Sequence, residues 1–375
     1  MSARIKLRVR QSLIGACLMS TAGFAAAEYG LNLRPGVTSI AQNAYSLHML
    51  ILWICVAIGV VVFGAMFYSI INHRKSKGAV AAQFHESTTV EIIWTVIPFL
   101  ILIGMAIPAT KALIAMEDTR NSDISIKVTG YQWKWQYEYL GEDVSFFSTL
   151  STPKDEIFNR AEKNPNYLLE VDNPVVVPVG KKVRLSITAN DVIHAWWVPD
   201  LGMKKDAIPG FINEMWFNID KPGTYRGQCA ELCGKDHGFM PIVVVAKEQA
   251  DYDKWLAEQK QAVAAASADS DRVFTKDELM ARGEKVYAAN CAACHQANGE
   301  GVPGAFPAIK GSVLTTGPVA GHLDRVMNGK TGTAMAAFAG QLSDADIAAV
   351  ITYQRNSWGN DMGDIVQPTD VKAAR

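Results

Sequence analysis

Residues 229–240 read CAELCGKDHGFM, and this stretch decides how the surrounding chain folds and what it holds. Two thiols, one imidazole and one thioether lie within these 12 residues, at Cys229, Cys233, His237 and Met240. Strand-like sequence precedes the stretch and the apolar residues 241–244 follow it, so the four side chains lie on a loop between strands. Thiolate, imidazole and a weak thioether are the ligands of electron-transfer copper, whereas zinc has little use for methionine.

One further ligand must come from elsewhere, because the loop supplies only three strong donors. The candidate is His194, in the segment NDVIHAWW at 190–197. The alternative is a disulfide between Cys229 and Cys233 beside a surface histidine, but such a bridge requires neither His237 nor Met240. The residues therefore favour a metal centre.

The region around this loop, from about 122 to 248, is strand-like. Ile124–Val128 alternates apolar and polar residues with period two, and turn signals such as Val179–Lys181 separate similar runs. This pattern is typical of a β-sandwich or barrel.

A second motif, CAACH at residues 291–295, is a c-type haem attachment site. Cys291 and Cys294 would form thioethers to the haem, and His295 would bind the iron axially. The alternative is a bare redox or zinc pair. Residues 274–375 are predicted to form a small all-α domain, and residues 251–273 a linker that begins helical and then becomes flexible.

The sixth iron ligand should follow further along the chain, and His322, Met327 and Met335 all qualify. Residues 329–338 resemble the distal loop of class I cytochromes c, and this resemblance selects Met335. A thioether ligand raises the haem potential, which suits an electron donor to copper.

The N-terminal residues 1–27 have the layout of a secretory signal peptide, with a basic start, an apolar stretch and a run of alanines. A short anchor helix is the alternative. Two long apolar runs follow within residues 28–117, and we predict membrane-spanning helices at about 48–71 and 89–113.

The basic loop at 72–77 places the connection between the two helices on the cytoplasmic side. Both termini and the metal-binding domains then lie outside, which for a bacterial inner (plasma) membrane is the periplasmic side, and the two helices contact membrane lipid. The formal charge of −1 offers no basic excess to bind nucleic acid.

The copper loop, with Trp133, the segment around His194 and the two crossings, resembles cytochrome c oxidase subunit II over about residues 30–255. The resemblance implies a cupredoxin-like domain at 118–250 with a dinuclear copper centre, CuA. It assigns the ligands as follows: bridging thiolates Cys229 and Cys233, one imidazole per copper from His194 and His237, and weak axial ligands from Met240 and the Glu231 carbonyl. It also implies a magnesium ion, shared with subunit I, on the Glu231 side chain.

Three other residues take roles from the same resemblance. Trp133 would be the entry point for electrons, although in the alternating aromatic run 131–139 it could equally pack a sheet. Asp191 would belong to the surface that docks the donor. Glu91, near the cytoplasmic end of the second crossing, would open a proton path into subunit I, or would be an interfacial anchor.

Together these features predict a multidomain membrane protein with a two-helix transmembrane hairpin, a cupredoxin-like β-sandwich and an all-α cytochrome c domain. It resembles subunit II of a bacterial oxidase with a fused cytochrome c. The implied function is transfer of electrons through haem c and CuA to haem in subunit I, for oxygen reduction coupled to proton pumping. The implied partners are subunits I and III and a periplasmic donor such as a c-type cytochrome.

Three other classes of protein compete with that interpretation. A copper-delivery protein would have little use for a covalent haem. The electron-receiving subunit of a different reductase is a second alternative. A quinol-oxidase subunit would be expected to lack the copper ligands.

Overall fold

The structure is a computed structural model that describes residues 30, 32–330, 333 and 335–375. The predicted signal peptide, residues 1–27, lies outside the described residues. The chain divides into two compact units. The first comprises the described residues of Met1–Ile124, with Gly130–Trp133 and Leu150–Ala246, and the second comprises Ser125–Thr129, Lys134–Thr149 and Lys247–Arg375.

Two helices in the described part of the chain are long and apolar enough to cross a membrane, α1 (Ser39–Asn72) and α2 (Thr88–Glu117). At about 1.5 Å per residue they are about 51 and 45 Å long, well beyond the ~30 Å of a bilayer core. The prediction of two spanning helices is confirmed, and both helices extend past the predicted bounds.

Helix α1 begins at Ser39 instead of about residue 48, and its first turn packs against residues of the β-sandwich. Thr38 caps the helix by accepting a hydrogen bond from the Ala41 amide at 3.0 Å, and its own hydroxyl donates to the Leu201 carbonyl at 2.8 Å. Ile40 and Ala41 are buried there. Hydropathy detects the part of a helix that lies in lipid, so it could not locate a start set by capping and packing.

The β-sandwich predicted from the sequence is confirmed, and the described residues form ten strands. Their bounds are β1 (Ile124–Tyr131), β2 (Lys134–Tyr139), β3 (Val144–Ser148), β4 (Val175–Pro178), β5 (Val183–Ala189), β6 (His194–Val198), β7 (Met203–Ala207), β8 (Asn213–Phe217), β9 (Gly223–Gln228) and β10 (Pro241–Lys247). A short helix, α3 (Lys154–Ile157), follows β3.

In the first unit, three antiparallel strand pairs build the frame of the metal loop. β5 pairs with β8, β6 with β7, and β9 with β10. Side chains along β5 alternate between buried and half-buried, as a strand covered on one face should. Trp196 and Phe217 stack in the core with ring centroids 6.3 Å apart.

In the second unit, β2 and β3 pair antiparallel, and helix α4 (Gln249–Ala268) packs its aromatic residues on them. Trp255 lies 5.3 Å from Tyr139 and 6.3 Å from Phe146, measured between ring centroids. The stretch predicted as a partly flexible linker is therefore helical through Ala268. Its alanine-rich composition, which suggested flexibility, also has the highest helix propensity.

The C-terminal part of the second unit consists of helices joined by loops, as predicted. Its helices are α5 (Lys276–Asn290), α6 (Ala292–His295), α7 (Val313–Thr316), α8 (Val319–Asn328), α9 (Asp344–Arg355) and α10 (Pro368–Ala374). Helix α5 begins with a capping box between Thr275 and Glu278. It packs closely on α9 at Gly283, where an added Cβ would lie 2.2 Å from the Ala349 carbonyl oxygen.

Candidate metal centre and haem-attachment site

The metal-ligand candidates come from the ends of strands in the first unit. His194 is the first residue of β6, and Cys229 directly follows β9. The loop then carries Cys233, turns through a short 3₁₀ helix that starts at His237, and reaches Met240 just before β10. Because strand ends are anchored in a packed sheet, the ligands are held by the frame on both sides of the loop.

The predicted ligands meet at one point. The sulfur atoms of Cys229 and Cys233 lie 3.8 Å apart and form no disulfide. His194 Nδ1 is 3.9 Å from the Cys229 sulfur, and His237 Nδ1 is 3.4 Å from the Cys233 sulfur. Each thiol therefore has one imidazole beside it, which gives the cluster two matched halves.

Two weaker donors complete the cluster. The Met240 thioether lies 3.4 Å from the Cys233 sulfur, and the Glu231 carbonyl oxygen lies 3.4 Å from the Cys229 sulfur. The Glu231 side chain is exposed. The backbone of this residue thus faces the cluster while its carboxylate points to the outside.

The two imidazoles differ in how deeply they are buried. His194, Cys229, Cys233 and Met240 are all at most 3% exposed, while His237 is half-buried. A buried set of soft ligands excludes water from the centre, and the edge of His237 is the part nearest to solvent.

The two thiols share their protons unequally. Hydrogen bonding from Cys233 and His194 lowers the pKa of the Cys229 thiol, and the same contact with Cys229, together with burial, raises the pKa of Cys233. Burial opposes the charged form of His194, but hydrogen bonds to Asp191 and Cys229 outweigh it and raise the His194 pKa. Because copper binds thiolates, a metal at this site would displace the protons of both thiols.

Two residues fix the orientation of His194. Asp191 Oδ1 is 2.9 Å from His194 Nε2, which leaves Nδ1 directed at Cys229. The ring packs where Gly130 has no side chain, since an added Cβ would lie 2.7 Å from His194 Cδ2. Sequence reasoning had placed Asp191 on a docking surface and did not identify Gly130. Metal-binding histidines commonly have such a carboxylate on the second nitrogen.

Trp133 also touches the cluster. Its indole Nε1–H donates to the Cys233 carbonyl at 3.1 Å, and the ring is half-buried. The predicted electron-entry residue is therefore one hydrogen bond away from a predicted copper ligand.

The donor set fits a dinuclear copper centre. Two buried thiols with one imidazole each, plus a thioether and a carbonyl, are the soft and intermediate ligands that copper favours, and they already lie within 4 Å of their neighbours.

The haem-attachment motif lies at the end of α5. Cys291 caps this helix, and Cys294 and His295 belong to the short α6. The His295 Nδ1 is 2.8 Å from the Pro307 carbonyl oxygen, so the other ring nitrogen, Nε2, is the one available to iron. The two cysteines and the oriented imidazole fit a covalent haem.

The candidates for the sixth iron ligand have different surroundings. Met335 is half-buried and packs against the helical core, whereas Met327 and His322 are buried, at 3% and 4% exposed. His322 Nε2 lies 2.7 Å from the Gln354 side-chain oxygen. Burial lowers the His322 pKa to about 4, so its imidazole is neutral at pH 7. Met335 is therefore the candidate whose side chain is least buried in the helical core.

Glu91 lies in the first turn of α2, where its side chain is exposed along the helix. Its amide donates to the Ser87 carbonyl at 3.0 Å, and its own carbonyl accepts from Thr95. The described contacts leave open both the anchor and the proton-path interpretation.

Comparison with known proteins places these sites in a family. The family described as cytochrome c oxidase subunit II, periplasmic domain, matches residues 124–247, and the transmembrane domain of the same subunit matches residues 26–112. A probable cytochrome c oxidase subunit 2 of Rickettsia bellii is 39% identical over 256 residues, covering 68% of this chain and 93% of that protein. The chain belongs to the cytochrome c oxidase subunit II family.

The chain is also similar to another curated protein and to two solved structures. Cytochrome c oxidase subunit 2 of Cereibacter sphaeroides is 33% identical over 244 residues, covering 62% of this chain and 80% of that protein. The solved periplasmic domain of subunit II (CoxB) of Bradyrhizobium japonicum is 42% identical, with a TM-score of 0.35, and covers 38% of this chain and 98% of that one. A second solved structure is a mixed disulfide between subunit II and a thioredoxin-like protein, with 42% identity, a TM-score of 0.33, and coverage of 39% and 96%.

The C-terminal region matches a different family, described as cytochrome c oxidase, cbb3-type, subunit III, over residues 278–353. The chain is therefore subunit II of a terminal oxidase with an added cytochrome c domain. Its family implies CuA copper, its C-terminal domain implies haem, and membership in the oxidase implies subunit I as a partner. The two apolar helices are consistent with a membrane protein.

Proposed function

We propose that this subunit II accepts electrons through haem c and CuA and passes them to haem in subunit I, where oxygen is reduced to water with proton pumping. The paired cluster of Cys229 and Cys233, each with its own imidazole, carries this proposal. Copper bound there would share one electron between two metals, with little rearrangement of the ligands on transfer. Haem bound at the attachment motif in the same chain would accept each electron before it reaches the copper.

The chain's own residues would divide the work. Cys229, Cys233, His194 and His237 would hold the copper, and Met240 and the Glu231 carbonyl would add weaker contacts. Trp133 offers an aromatic ring hydrogen-bonded to the Cys233 peptide, which supports a role in electron entry. Cys291 and Cys294 hold the haem, and His295 and Met335 bind its iron.

The domain organisation that we propose has a signal peptide at 1–27, the membrane hairpin within 28–117, the CuA domain at 118–250 and the cytochrome c domain at 274–375. Both termini and both metal domains would lie on the periplasmic side of the bacterial inner membrane. Subunit III and a c-type cytochrome or another periplasmic donor would be further partners. The exposed Glu231 carboxylate, a hard oxygen ligand, would hold magnesium at the boundary with subunit I.

Metal analysis of the full-length chain, made without subunit I, tests the core of this proposal. We expect two coppers for each covalently bound haem, and an electron paramagnetic resonance (EPR) signal from one electron shared by both coppers. A single copper, or zinc alone, would contradict the CuA assignment.

Glu91 is proposed to open the proton path. Placing a carboxylate in the apolar part of a membrane costs several kcal/mol unless it is hydrated or partnered. We expect Glu91→Gln to slow oxygen uptake by the assembled complex severalfold, because an amide has nearly the same shape and neither binds nor releases protons.

Stopped-flow measurement of CuA reduction provides the control for Glu91→Gln. Reduction of CuA occurs outside the membrane and should keep its normal rate in this variant. Replacing the exposed Glu86 by Gln, in the loop just before α2, should leave both rates normal. Normal oxygen uptake in Glu91→Gln would show that Glu91 is an anchor only.

A further inference from the structure

We propose that Gln132 is a positioning residue that ties together two halves of the CuA ligand set, one centred on His194 and the other on Cys233. The inference rests on the proposed dinuclear copper centre. It concerns a residue that binds no metal and acts on two of the proposed ligands, through its backbone on one and through its side chain on the other.

The first connection runs through the backbone of Gln132. Its amide N–H donates to Asp191 Oδ2 at 2.8 Å, and the other oxygen of the same carboxylate, Oδ1, lies 2.9 Å from His194 Nε2. The two carboxylate oxygens thus have separate partners. Any shift of the Gln132 backbone moves Asp191, and with it the imidazole that faces Cys229.

The second connection runs through the side chain of Gln132. Its Nε2 donates to the Cys233 carbonyl at 2.9 Å, and Trp133 Nε1 donates to the same oxygen at 3.1 Å. A carbonyl oxygen has two lone pairs, so these two donors fill its capacity. The peptide that follows the Cys233 thiolate is thereby fixed on both sides.

Gly234 provides the space that this arrangement needs. An added Cβ there would lie 3.0 Å from Gln132 Nε2 and 3.2 Å from Trp133 Cζ2, and the residue has a φ of +115°. A side chain at 234 would push against both donors as well as strain the backbone. The backbone conformation of the loop and the two hydrogen bonds to Cys233 therefore depend on one another.

The physical consequence is electrostatic as well as geometric. Gln132 is neutral, but its amide presents the positive end of a dipole to the peptide of a thiolate ligand. Such donors stabilise added negative charge, so they favour the reduced form of the centre. Removing the donor should lower the CuA midpoint potential, and loosening the Cys233 peptide should change the electron distribution between the two coppers.

Gln132→Met in the full-length chain tests the inference, because methionine has similar length, carries no charge and cannot donate. The matched control is Gln136→Met in strand β2, where the amide donates to Ser145 Oγ at 3.2 Å instead of reaching the copper loop. The measurements are copper content, the CuA midpoint potential, the EPR hyperfine pattern and, within the same molecule, the haem c potential.

We expect Gln132→Met to retain two coppers, to lower the CuA potential and to alter the hyperfine pattern, while its haem c potential stays at the wild-type value. Gln136→Met should match wild type in all four. A residue that served only to stabilise the fold would change the unfolding midpoint but neither of the CuA properties. Wild-type CuA properties in Gln132→Met, or an equal change in Gln136→Met, would overturn the inference.

Should Gln132→Met fail to retain copper, Gln132→Asn decides the question. Asparagine keeps the amide but is one methylene too short to span to the Cys233 carbonyl. A lowered CuA potential in that variant supports the inference, and a wild-type potential overturns it. If the wild-type chain itself lacks two coppers, it is the proposed function that fails, so the two failures are distinguishable.

Discussion

The copper cluster and the haem-attachment segment differ in how far the polypeptide alone completes each site. At the copper cluster, two sulfurs and their imidazoles already lie within 3.9 Å of their partners, and most of these side chains are buried. At the haem segment, His295 is oriented by Pro307, but Met335 is only half-buried. Buried His322 Nδ1 has no hydrogen-bond partner among the residues that the structure describes.

The difference follows from the way each site is built. The proposed copper ligands lie at the ends of strands β6, β9 and β10, which belong to two packed sheets, so the loop between β9 and β10 has little freedom. The haem segment joins helices through long loops, and the two cysteines can form their bonds only to the cofactor. The comparison teaches that the polypeptide alone brings the proposed copper ligands together, whereas the proposed haem ligands would need the cofactor as well to complete their arrangement.

The largest effect is expected at the copper cluster. Cys229→Ser should abolish the dinuclear EPR signal and the binding of the second copper, because a serine oxygen is not a soft bridging ligand. Copper analysis and EPR on the full-length chain would measure the loss. Haem attachment should remain complete, since the second unit does not use Cys229.

Cys55→Ser is the matched control for this substitution. It makes the same chemical change at an exposed position in helix α1, away from any predicted ligand. We expect wild-type copper content. A Cys229→Ser protein that kept the dinuclear signal would contradict the view that the polypeptide determines this centre through a thiolate pair.

An intermediate effect is expected at the haem. Met335→Ala should lower the haem c potential while the covalent attachment through Cys291 and Cys294 stays intact, because a thioether ligand favours the reduced iron. Axial ligands set haem potentials over a range of about 0.8 V, so the change should be easy to resolve in a redox titration followed by optical spectroscopy.

Met327→Ala separates ligand loss from core damage. Met327 is 3% exposed in the helical core, so its removal should cost about 2–5 kcal/mol of unfolding free energy but leave the haem potential near wild type. An unchanged potential in Met335→Ala would assign the sixth ligand to another residue, and His322 would be the next to test.

The sequence predicts the chemistry of both sites better than their geometry. Spacing and residue type identify Cys229, Cys233, His237 and Met240, because ligands on one loop are close whatever the fold. His194, 35 residues from Cys229, could be named as a candidate, but its contact with Cys229 depends on strand placement. The structure, not the pattern, shows that the two lie together.

Residues that act by packing or by orientation escaped sequence reasoning for a related reason. The sequence around Asp191 is the same whether this residue docks a partner or holds His194, so it does not distinguish the two roles. Gly130 matters because the His194 ring, from another strand, occupies the space where a side chain at position 130 would lie. Likewise, the start of α1 at Ser39 follows from the Thr38 cap and its contact with Leu201, which hydropathy does not report.

The smallest effect is expected from the buried histidine of the haem domain. Burial lowers the pKa of His322 from 6.5 to about 4, so the folded state favours the neutral ring more than the unfolded state does. The resulting stability is fully present above pH 6.5 and is lost as the pH falls toward 4. At about 1.4 kcal/mol per pKa unit, the loss across that window is about 3 kcal/mol.

His322→Gln should remove this dependence, because glutamine stays neutral throughout and can still donate to Gln354. Urea unfolding of the full-length chain, followed by haem absorption at several pH values from 7 to 4, would measure it. The wild-type free energy of unfolding should fall relative to that of the variant as the solution is acidified, whereas the same substitution at exposed His85 should leave the wild-type profile. Parallel profiles for wild type and His322→Gln would mean that His322 gains a partner for its second nitrogen once haem is attached. With haem attached, the side chains of the haem segment would then all have partners, as those of the copper cluster do. The contrast between the two regions would then apply only to the polypeptide before the cofactor binds.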